Sequence, residues 1–176
     1  RRVVVRDNYI DGCNHNNRNG VSVISGEHVV IENNIFVETS RYNMPGSIDI
    51  EANNSAYTVE NVQIKNNVIQ GCQGGLGSIG LVSNDKEAPA RKILIKGNII
   101  SDTHRGICFK IDSQSSTEDI QVLENEFTNC KNTLILRGSG SSKDWIIKRN
   151  NKIKMLKFAG ELEIKNLRTD VKLNDK

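Results

Sequence analysis

The 176-residue chain has little aromatic character and almost no proline: aromatic residues make up 5% of it, and only 2 prolines are present. It lacks any uninterrupted apolar run of about 18 residues, so no membrane-spanning helix and no membrane partner are predicted. The net charge is only +3 and the basic residues are scattered, so no nucleic-acid partner is expected either. Asparagine and β-branched residues are abundant instead, and they favour short strands separated by turns.

The 4 cysteines indicate neither a disulfide framework nor a zinc site, because no C-x-x-C pair is present. Cys13, Cys72 and Cys130 occupy the same position of a repeated segment, where two other copies have Thr39 and Thr103. A position that accepts cysteine or threonine requires a small, packable side chain. These cysteines are therefore predicted to be structural.

The repeated segment dominates the sequence, and the stretch from Val59 to Cys72 is typical of it. It has two apolar residues two positions apart, an Asn three residues later, an Ile or Phe two residues after that, and finally Cys or Thr. The spacing between repeat asparagines ranges from 25 (125 to 150) to 33 (34 to 67) residues, which is typical of a stacked solenoid. The repeat asparagines are Asn8, Asn34, Asn67, Asn98 and Asn125, with Asn150 or Asn151 in a sixth copy.

A further alternating stretch follows each of the first five copies after a loop of variable length, at 20–25, 47–52, 78–83, 106–111 and 133–138. Three short strands per turn predict an all-β fold, a right-handed parallel β-helix of about six coils with strands about 4.8 Å apart. The β-helix is expected over 1–153, with 154–176 as a closing coil or C-terminal tail. The repeat Asn is expected to adopt the left-handed conformation at a corner and to bond its equivalents above and below.

The candidate functional residues lie at outward positions of these third strands. Together they predict an exposed stripe along the rod, with two carboxylates first, then a small or apolar saddle, then two cations. One outward column reads Ser22, Asp49, Gly80, Cys108 and Ile135, and the next reads Ile24, Glu51, Val82, Lys110 and Arg137.

Asp49 and Glu51 are the candidate catalytic pair. Their backbones are expected to lie about 6.5–7 Å apart, which suits an acid and a base acting through water, as in inverting glycosidases. One carboxyl would need its pKa raised by the other to act as the acid. For an acidic sugar the alternative is β-elimination, with Lys110 or Arg137 neutralising the uronate. No cofactor is expected, although a divalent cation such as calcium stays open. The structural alternative is that charged residues simply occupy solvated outward positions.

The loops before the third strands shorten along the chain, from 14–19 and 40–46 to the two-residue links 104–105 and 131–132. The long loops are therefore expected to flank the Asp49 and Glu51 end, where Tyr42 is the best candidate for stacking on a sugar. His15 and His104 are candidate general bases, although a lone loop histidine is more often incidental. The predicted substrate-binding residues are Lys110, Arg137, Tyr42, Arg41, Arg105 and His15.

The stacked N-x-[IF]-x-x-[CT] segments, the Asn repeat and the phrase S-I-D-I-E-A-N at 47–53 resemble the pectate-lyase-like β-helix superfamily. Within it, residues 1–153 are most similar to the β-helix domains of bacteriophage tailspikes and tail appendages. The resemblance implies a homotrimer that binds and cleaves a bacterial surface polysaccharide or teichoic acid. It also implies a location on the virion tail, or secretion if the protein is not from a phage. The acidic Gly-Asp-Gly opening usual in such domains is missing, which predicts that the chain is a piece of a longer β-helix.

Several better-known chemistries lack their signatures here. The N-T-D, D-D and R-I-K strings of polygalacturonases and the D-P-H of alginate epimerases are absent, as are a P-loop and a serine nucleophile elbow. These absences put the best-known chemistries of the superfamily in doubt. The resemblance to tailspikes implies a glycoside hydrolase or polysaccharide lyase of a phage appendage. The alternatives are a non-catalytic shaft or glycan-binding, trimerising segment of such a spike, and a bacterial uronate lyase or epimerase.

Overall fold

The structure, a computed structural model, describes residues 2–12, 18–84, 89–153 and 155–173. These residues form strands and turns, and they include no helix capable of crossing a membrane. In chain order the strands are β1 (Val3–Arg6), β2 (Tyr9–Asp11), β3 (Val21–Val23), β4 (Gly26–Glu32), β5 (Ile35–Val37), β6 (Ile48–Ala52), β7 (Val59–Lys65), β8 (Val68–Gln70), β9 (Ile79–Ser83), β10 (Ala90–Lys96), β11 (Ile99–Ile111), β12 (Ser116–Leu123), β13 (Glu126–Gly138), β14 (Ser141–Lys148), β15 (Met155–Ala159), β16 (Glu163–Lys165), β17 (Arg168–Thr169) and β18 (Lys172–Leu173).

The strands stack in parallel, each on its equivalent in the neighbouring coil, and the chain completes about 5 turns. The first sheet has the order β1-β4-β7-β10-β12-β14-β16, with β17 also paired to β14. The second runs β18-β15-β13-β11-β8-β5-β2, and the third is β3-β6-β9. The predicted all-β, parallel β-helix is confirmed, and the number of turns roughly matches the prediction.

The core lies inside the coil because alternate side chains of each strand point inward. In the first sheet, Val29, Val62, Ile93, Ile120 and Trp145 form one buried interior column. The indole of Trp145 packs edge-on against the ring of Phe109, with ring centroids 4.7 Å apart. A continuous apolar interior of this kind makes burial the main stabilising contribution to the stack.

The predicted Asn ladder runs from Asn8 to Asn150. In each rung the backbone N–H and the side-chain Nδ2 of one Asn both donate to the Oδ1 of the Asn in the next coil. For Asn67 and Asn98 these distances are 3.0 and 2.9 Å. The amide of Asn67 also donates to the carbonyl of Ile31, at 3.0 Å. Asn34, Asn67, Asn98 and Asn125 are fully buried, so each rung satisfies polar groups that no water reaches.

The corner conformation differs from the prediction by one residue. The residue before the ladder Asn adopts the left-handed conformation, as at Asn33 (φ 56°) and Asn66 (φ 53°), while the ladder Asn does not. The preceding position is exposed or half-buried and accepts Asp7, Gly97 or Glu124, because only its backbone is constrained. The ladder position itself requires the amide, and this explains why only that position is invariably Asn.

The third strands differ along the chain in step with the lengths of the loops before them. In the first coils they stand alone as β3, β6 and β9, whereas β11 and β13 run for 13 residues each and contain both the second and the third strand of their coils. Beyond 153, β15 pairs with β13, while β16 and β17 pair with β14. The division of the chain at residue 153 stays a prediction.

The cysteines within the described residues are free thiols inside the stack. Cys72 is fully buried and its thiol donates to the carbonyl of Gly77, at 3.5 Å. Cys130 is partly buried and contacts the carbonyl of Ile100, at 3.4 Å. Cys13 lies outside the described residues. These contacts are those of small packing residues, as the repeat position predicts.

Replacing a central ladder Asn should destabilise the protein much more than replacing the first one. Asn67→Ala removes an acceptor from the backbone N–H and amide of Asn34 and a donor from the Ile31 carbonyl. We expect a loss of roughly 2–4 kcal/mol in the free energy of unfolding. Asn8→Ala, at an exposed rung, should cost less than about 1 kcal/mol. Urea unfolding followed by far-ultraviolet circular dichroism measures both; equal losses would contradict the ladder's role.

Candidate functional site

Asp49 and Glu51 lie on the outward side of β6, between inward-facing Ile48, Ile50 and Ala52. In register, Asp49 lies beside Ser22 of the preceding coil and Gly80 of the following coil. Glu51 lies beside Val82, which is 7% exposed. The alternation of β6 therefore places both carboxylates on one face, as the sequence predicts.

Asp49 is buried although it points away from the core: none of its surface is exposed. Its Oδ2 accepts a hydrogen bond from the Ser22 hydroxyl at 3.3 Å, and its Oδ1 has no partner among the described residues. Burial, a side-chain hydrogen bond with Glu51 and the charge of Glu51 raise the pKa of Asp49 to about 7. The Ser22 hydrogen bond and the Arg18 charge oppose this increase less strongly. Asp49 therefore keeps a proton at pH values where an ordinary aspartate has lost it.

Glu51 is held from several sides and remains at the surface. The Arg18 guanidinium lies 3.5 Å from its Oε1, and the Asn53 amide donates to its Oε2 at 3.2 Å. Its side chain is 16% exposed, against 63% for Arg18. Of the two carboxyls, Asp49 is therefore buried, and Glu51 is the one within reach of solvent.

This geometry assigns the two carboxyls different roles. In an inverting glycosidase, by contrast, both carboxyls flank the scissile bond and a water reaches one of them. Asp49 has no exposed surface, so only Glu51 is able to touch a substrate. The expectation that both carboxylates are exposed is therefore wrong, because Asp49 is buried. Their action as an acid/base pair stays a prediction, with Glu51 at the surface and the pKa of the buried Asp49 raised to about 7.

Two loops cover the face that the sequence predicted to be open. The loop 73–77 follows the loop 40–46: the N–H of Gly75 donates to the Met44 carbonyl at 2.6 Å, and that of Leu76 to the Pro45 carbonyl at 2.8 Å. Leu76 lies so close to Gly80 that a Cβ there would be 2.7 Å from the Leu76 Cβ. Gly80 thus leaves room for a covering side chain and offers no accessible backbone.

The rest of the predicted saddle is covered as well. Cys108 has no exposed surface and Ile135 is 7% exposed. Burial raises the pKa of the Cys108 thiol, while the nearby charges of Arg137 and Arg105 oppose that increase. A guanidinium N–H of Arg105 donates to the carbonyl of Gly75, so this side chain fixes the covering loop. The Arg105 side chain therefore holds the covering loop 73–77 in place and is not free to contact a substrate.

The two predicted cations of the second column lie together, since Lys110 and Arg137 are register neighbours. Lys110 forms an ion pair with Asp112 at 3.1 Å and keeps 38% of its side-chain surface exposed. Arg137 is partly buried, and its Nε has no partner among the described residues. Val82 separates them from Glu51 along the face.

The loop 40–46 presents the predicted aromatic residue. Tyr42 is 78% exposed, the most exposed large hydrophobic side chain among the described residues, and Arg41 beside it is also exposed. His104 is exposed on β11. His15 lies outside the described residues, so its predicted contact stays a prediction.

Sequence reasoning missed Arg18 and Asn53, the two groups that hold Glu51. Arg18 could have been found from its position in the long loop directly before β3, because β3 pairs with β6, the strand that carries Glu51. Asn53 is two residues beyond Glu51, outside the strand. The same arrangement argues against a calcium site, because the Arg18 guanidinium occupies the approach to Glu51. The described residues contain no group of three or more His, Cys, Asp or Glu side chains arranged to hold a metal ion.

Replacing the buried acid should stabilise the protein at high pH. The folded pKa of Asp49 is about 7 and an unfolded aspartate titrates near pH 4, so wild-type stability falls as the pH rises through this window. Asp49→Asn removes the charge that the folded state disfavours. We expect it to be more stable than wild type above about pH 8, by roughly 2–4 kcal/mol, and the difference to vanish below about pH 4.

Urea unfolding across this pH range measures the effect. Glu118→Gln is the control, because Glu118 forms a half-exposed ion pair with Lys143 and should change stability by less than about 1 kcal/mol, with no step near pH 7. A difference between Asp49→Asn and wild type that does not depend on pH would contradict the assignment of the proton to Asp49.

No protein-family model, no curated protein and no solved structure matches the chain. The functional argument therefore rests on the β-helix itself and on the Asp49–Glu51 pair, with Arg18 and Asn53 around it.

Proposed function

We propose that the chain is a polysaccharide-binding and polysaccharide-degrading β-helix domain of a phage tail spike or appendage, related to the pectate-lyase-like superfamily. Its substrate would be a bacterial surface polysaccharide or teichoic acid, and the spike would be a homotrimer on the virion tail. The observation that carries this proposal is the Asp49–Glu51 pair, in which a surface carboxylate is coupled to a buried, protonated one. Such a pair is suited to moving a proton to or from a bound sugar.

Glu51 is the catalytic residue of the proposal and Asp49 its positioning residue. Glu51 faces solvent beside Arg18, so a glycan lying on this face would meet the carboxylate and the guanidinium together. The proton that Glu51 passes to the glycosidic oxygen would come from Asp49, which would then be reprotonated from solvent through Glu51. The pair thus acts as one acid with a shared proton.

The residues around the pair fit a chain of sugars laid along the rod. Tyr42 offers an exposed ring for stacking. Lys110 is two coils beyond Glu51, about 10 Å away by strand spacing, and Arg137 is one coil further. Cations at this spacing suit the acidic groups of successive sugars or phosphates, which supports an anionic polymer as substrate.

A second candidate is a non-catalytic shaft or glycan-binding segment of the same kind of spike. The observation that favours it is the covered saddle: Gly80, Cys108 and Ile135 are buried, so these positions of the face are closed to a glycan. In this case the Asp49–Glu51 pair would only bind sugar hydroxyls. A secreted uronate lyase or epimerase is the third candidate, in which Glu51 would act as a base.

Glycan degradation should depend on Glu51 more than on Asp49. With purified capsular polysaccharides and teichoic acids, new reducing ends report hydrolysis, and ultraviolet absorbance of an unsaturated uronate reports elimination. Glu51→Gln should reduce the rate at least about 100-fold, because it removes the only carboxyl of the pair that reaches the substrate. Asp49→Asn should leave residual activity. Glu27→Gln, an exposed carboxylate on another face, is the control and should act like wild type.

The pH dependence separates the chemistries. If the pair acts as an acid, the rate should fall as the pH rises above about 7, because the shared proton is lost there. If it acts as a base, the rate should rise over the same range. In either case, Asp49→Asn should shift or abolish the change of rate near pH 7. Glycan binding without turnover, unchanged in Glu51→Gln, would reject the catalytic role and support the binding segment.

A further inference from the structure

The outward face of the first sheet carries a groove that crosses β7, β10 and β12, parallel to the axis of the rod. Its volume is about 270 Å³. Ile93 lies at its centre with its side chain buried in the core, so the backbone forms the floor. The two walls are rows of side chains from three successive coils, Asn61, Lys92 and Asp119 on one side and Gln63, Leu94 and Gln121 on the other.

The first wall arises from a backbone conformation that three neighbouring strands share. Asn61, Lys92 and Asp119 are left-handed, with φ of 54°, 54° and 52°. The register pairs of the sheet pass over these positions. The two walls are two residues apart along each strand, about 6.5–7 Å, which is wide enough for one sugar ring.

The second wall alternates amide and apolar side chains. Gln63, Leu94 and Gln121 are register partners in successive coils, and all three are half-buried. The two glutamines are therefore about 10 Å apart by strand spacing, with the Leu94 side chain between them. A sugar chain has the same alternation, since hydroxyls lie at the edges of its rings and C–H groups cover the ring faces.

Polar groups in the groove have hydrogen-bonding capacity that the fold does not use. The Gln63 amide has no hydrogen bond to any other described residue. The Gln121 amide donates to Oδ1 of Asp119 at 3.1 Å, which leaves its oxygen and its second N–H. The Asn61 Nδ2 lies 2.6 Å from the His28 Nδ1, which leaves the Asn61 oxygen. An amide both donates and accepts, as a sugar hydroxyl does.

The charges of the groove favour a neutral ligand. Lys92 is the only cation in its lining and is paired with Glu60 at 2.7 Å. Asp119 has no ion pair within the part of the chain that the structure describes. Nucleic acids and other polyanions require unpaired cations. A peptide strand would require an open strand edge, whereas β10 is paired on both sides.

We propose that this groove is a second glycan-binding site, which takes a neutral oligosaccharide laid along the rod. One sugar ring packs on Leu94, and Gln63 and Gln121 bond the hydroxyls on either side of it. The groove lies on a different sheet from Asp49 and Glu51, and its ligand differs in charge from the anionic polymer expected there. The inference does not rest on glycan degradation.

Titration with neutral oligosaccharides tests the proposal. The probes are cellohexaose, maltohexaose, mannohexaose and chitohexaose, and nuclear magnetic resonance follows the side-chain amides of Gln63 and Gln121. At least one probe should shift both amides in a saturable way, with a Kd of about 1 mM or tighter. Glu51→Gln should bind this probe like wild type, so the groove is measured whether or not the protein degrades a glycan.

Variants of the second wall test the contacts, with affinity measured by calorimetry. Gln63→Ala combined with Gln121→Ala should weaken binding at least about tenfold, because both amides that flank the bound ring are lost. Gln70→Ala is the matched control: Gln70 is an exposed glutamine on the second sheet, so affinity should not change. Circular dichroism establishes that each variant is folded.

Hexagalacturonate, which carries a carboxylate on every sugar, tests the preference for a neutral ligand. It should leave the amides of Gln63 and Gln121 unshifted. Three outcomes would overturn the proposal. One is the lack of a saturable shift with all four neutral probes at up to about 10 mM. Another is unchanged affinity in the Gln63→Ala, Gln121→Ala variant. The last is tighter binding of hexagalacturonate than of any neutral probe at these amides.

Discussion

The stack of coils depends on one interaction: the side-chain oxygen of each ladder Asn accepts two hydrogen bonds from the Asn of the neighbouring coil. One Oδ1 satisfies both the backbone N–H and the side-chain amide of the neighbouring coil, and the same residue donates to a main-chain carbonyl. Because these groups are buried, a missing rung leaves several polar atoms unpaired at once. The ladder therefore fixes the height of each coil relative to the next, and with it the register of all three sheets.

The register of the stacked strands in turn determines which outward side chains become neighbours. Ser22, Asp49 and Gly80 become neighbours only because β3, β6 and β9 stack without slip. A one-residue slip would turn Asp49 into the core and expose Ile48 or Ile50. The loops then determine how much solvent reaches the column of Ser22, Asp49 and Gly80. The loops 40–46 and 73–77 are joined by hydrogen bonds, and Leu76 covers Gly80, the register neighbour of Asp49. Asp49 is fully buried, and its desolvation is the largest cause of its raised pKa.

The lateral faces of the rod carry separate properties as a result. The third-strand face holds the acid pair, the covering loops and the cations at Lys110 and Arg137. The second-sheet face holds exposed apolar side chains at Tyr9, Ile35 and Ile99. A β-helix is suited to this division, because each sheet presents its own outward columns while sharing one core.

The sequence by itself determined the parallel β-helix, because the period of the repeat, the Asn ladder and the inward columns are all local, periodic patterns. It also determined that Asp49 and Glu51 point to the same side of one strand. It did not reveal which corner residue is left-handed, since Asn at two adjacent positions, as in Asn33 and Asn34, leaves the choice open. Only the tertiary structure decided the burial of Asp49, the covering of Gly80 by Leu76 and the pairing of Arg18 with Glu51. These depend on how loops of different coils pack on one another, and no periodic pattern encodes that packing.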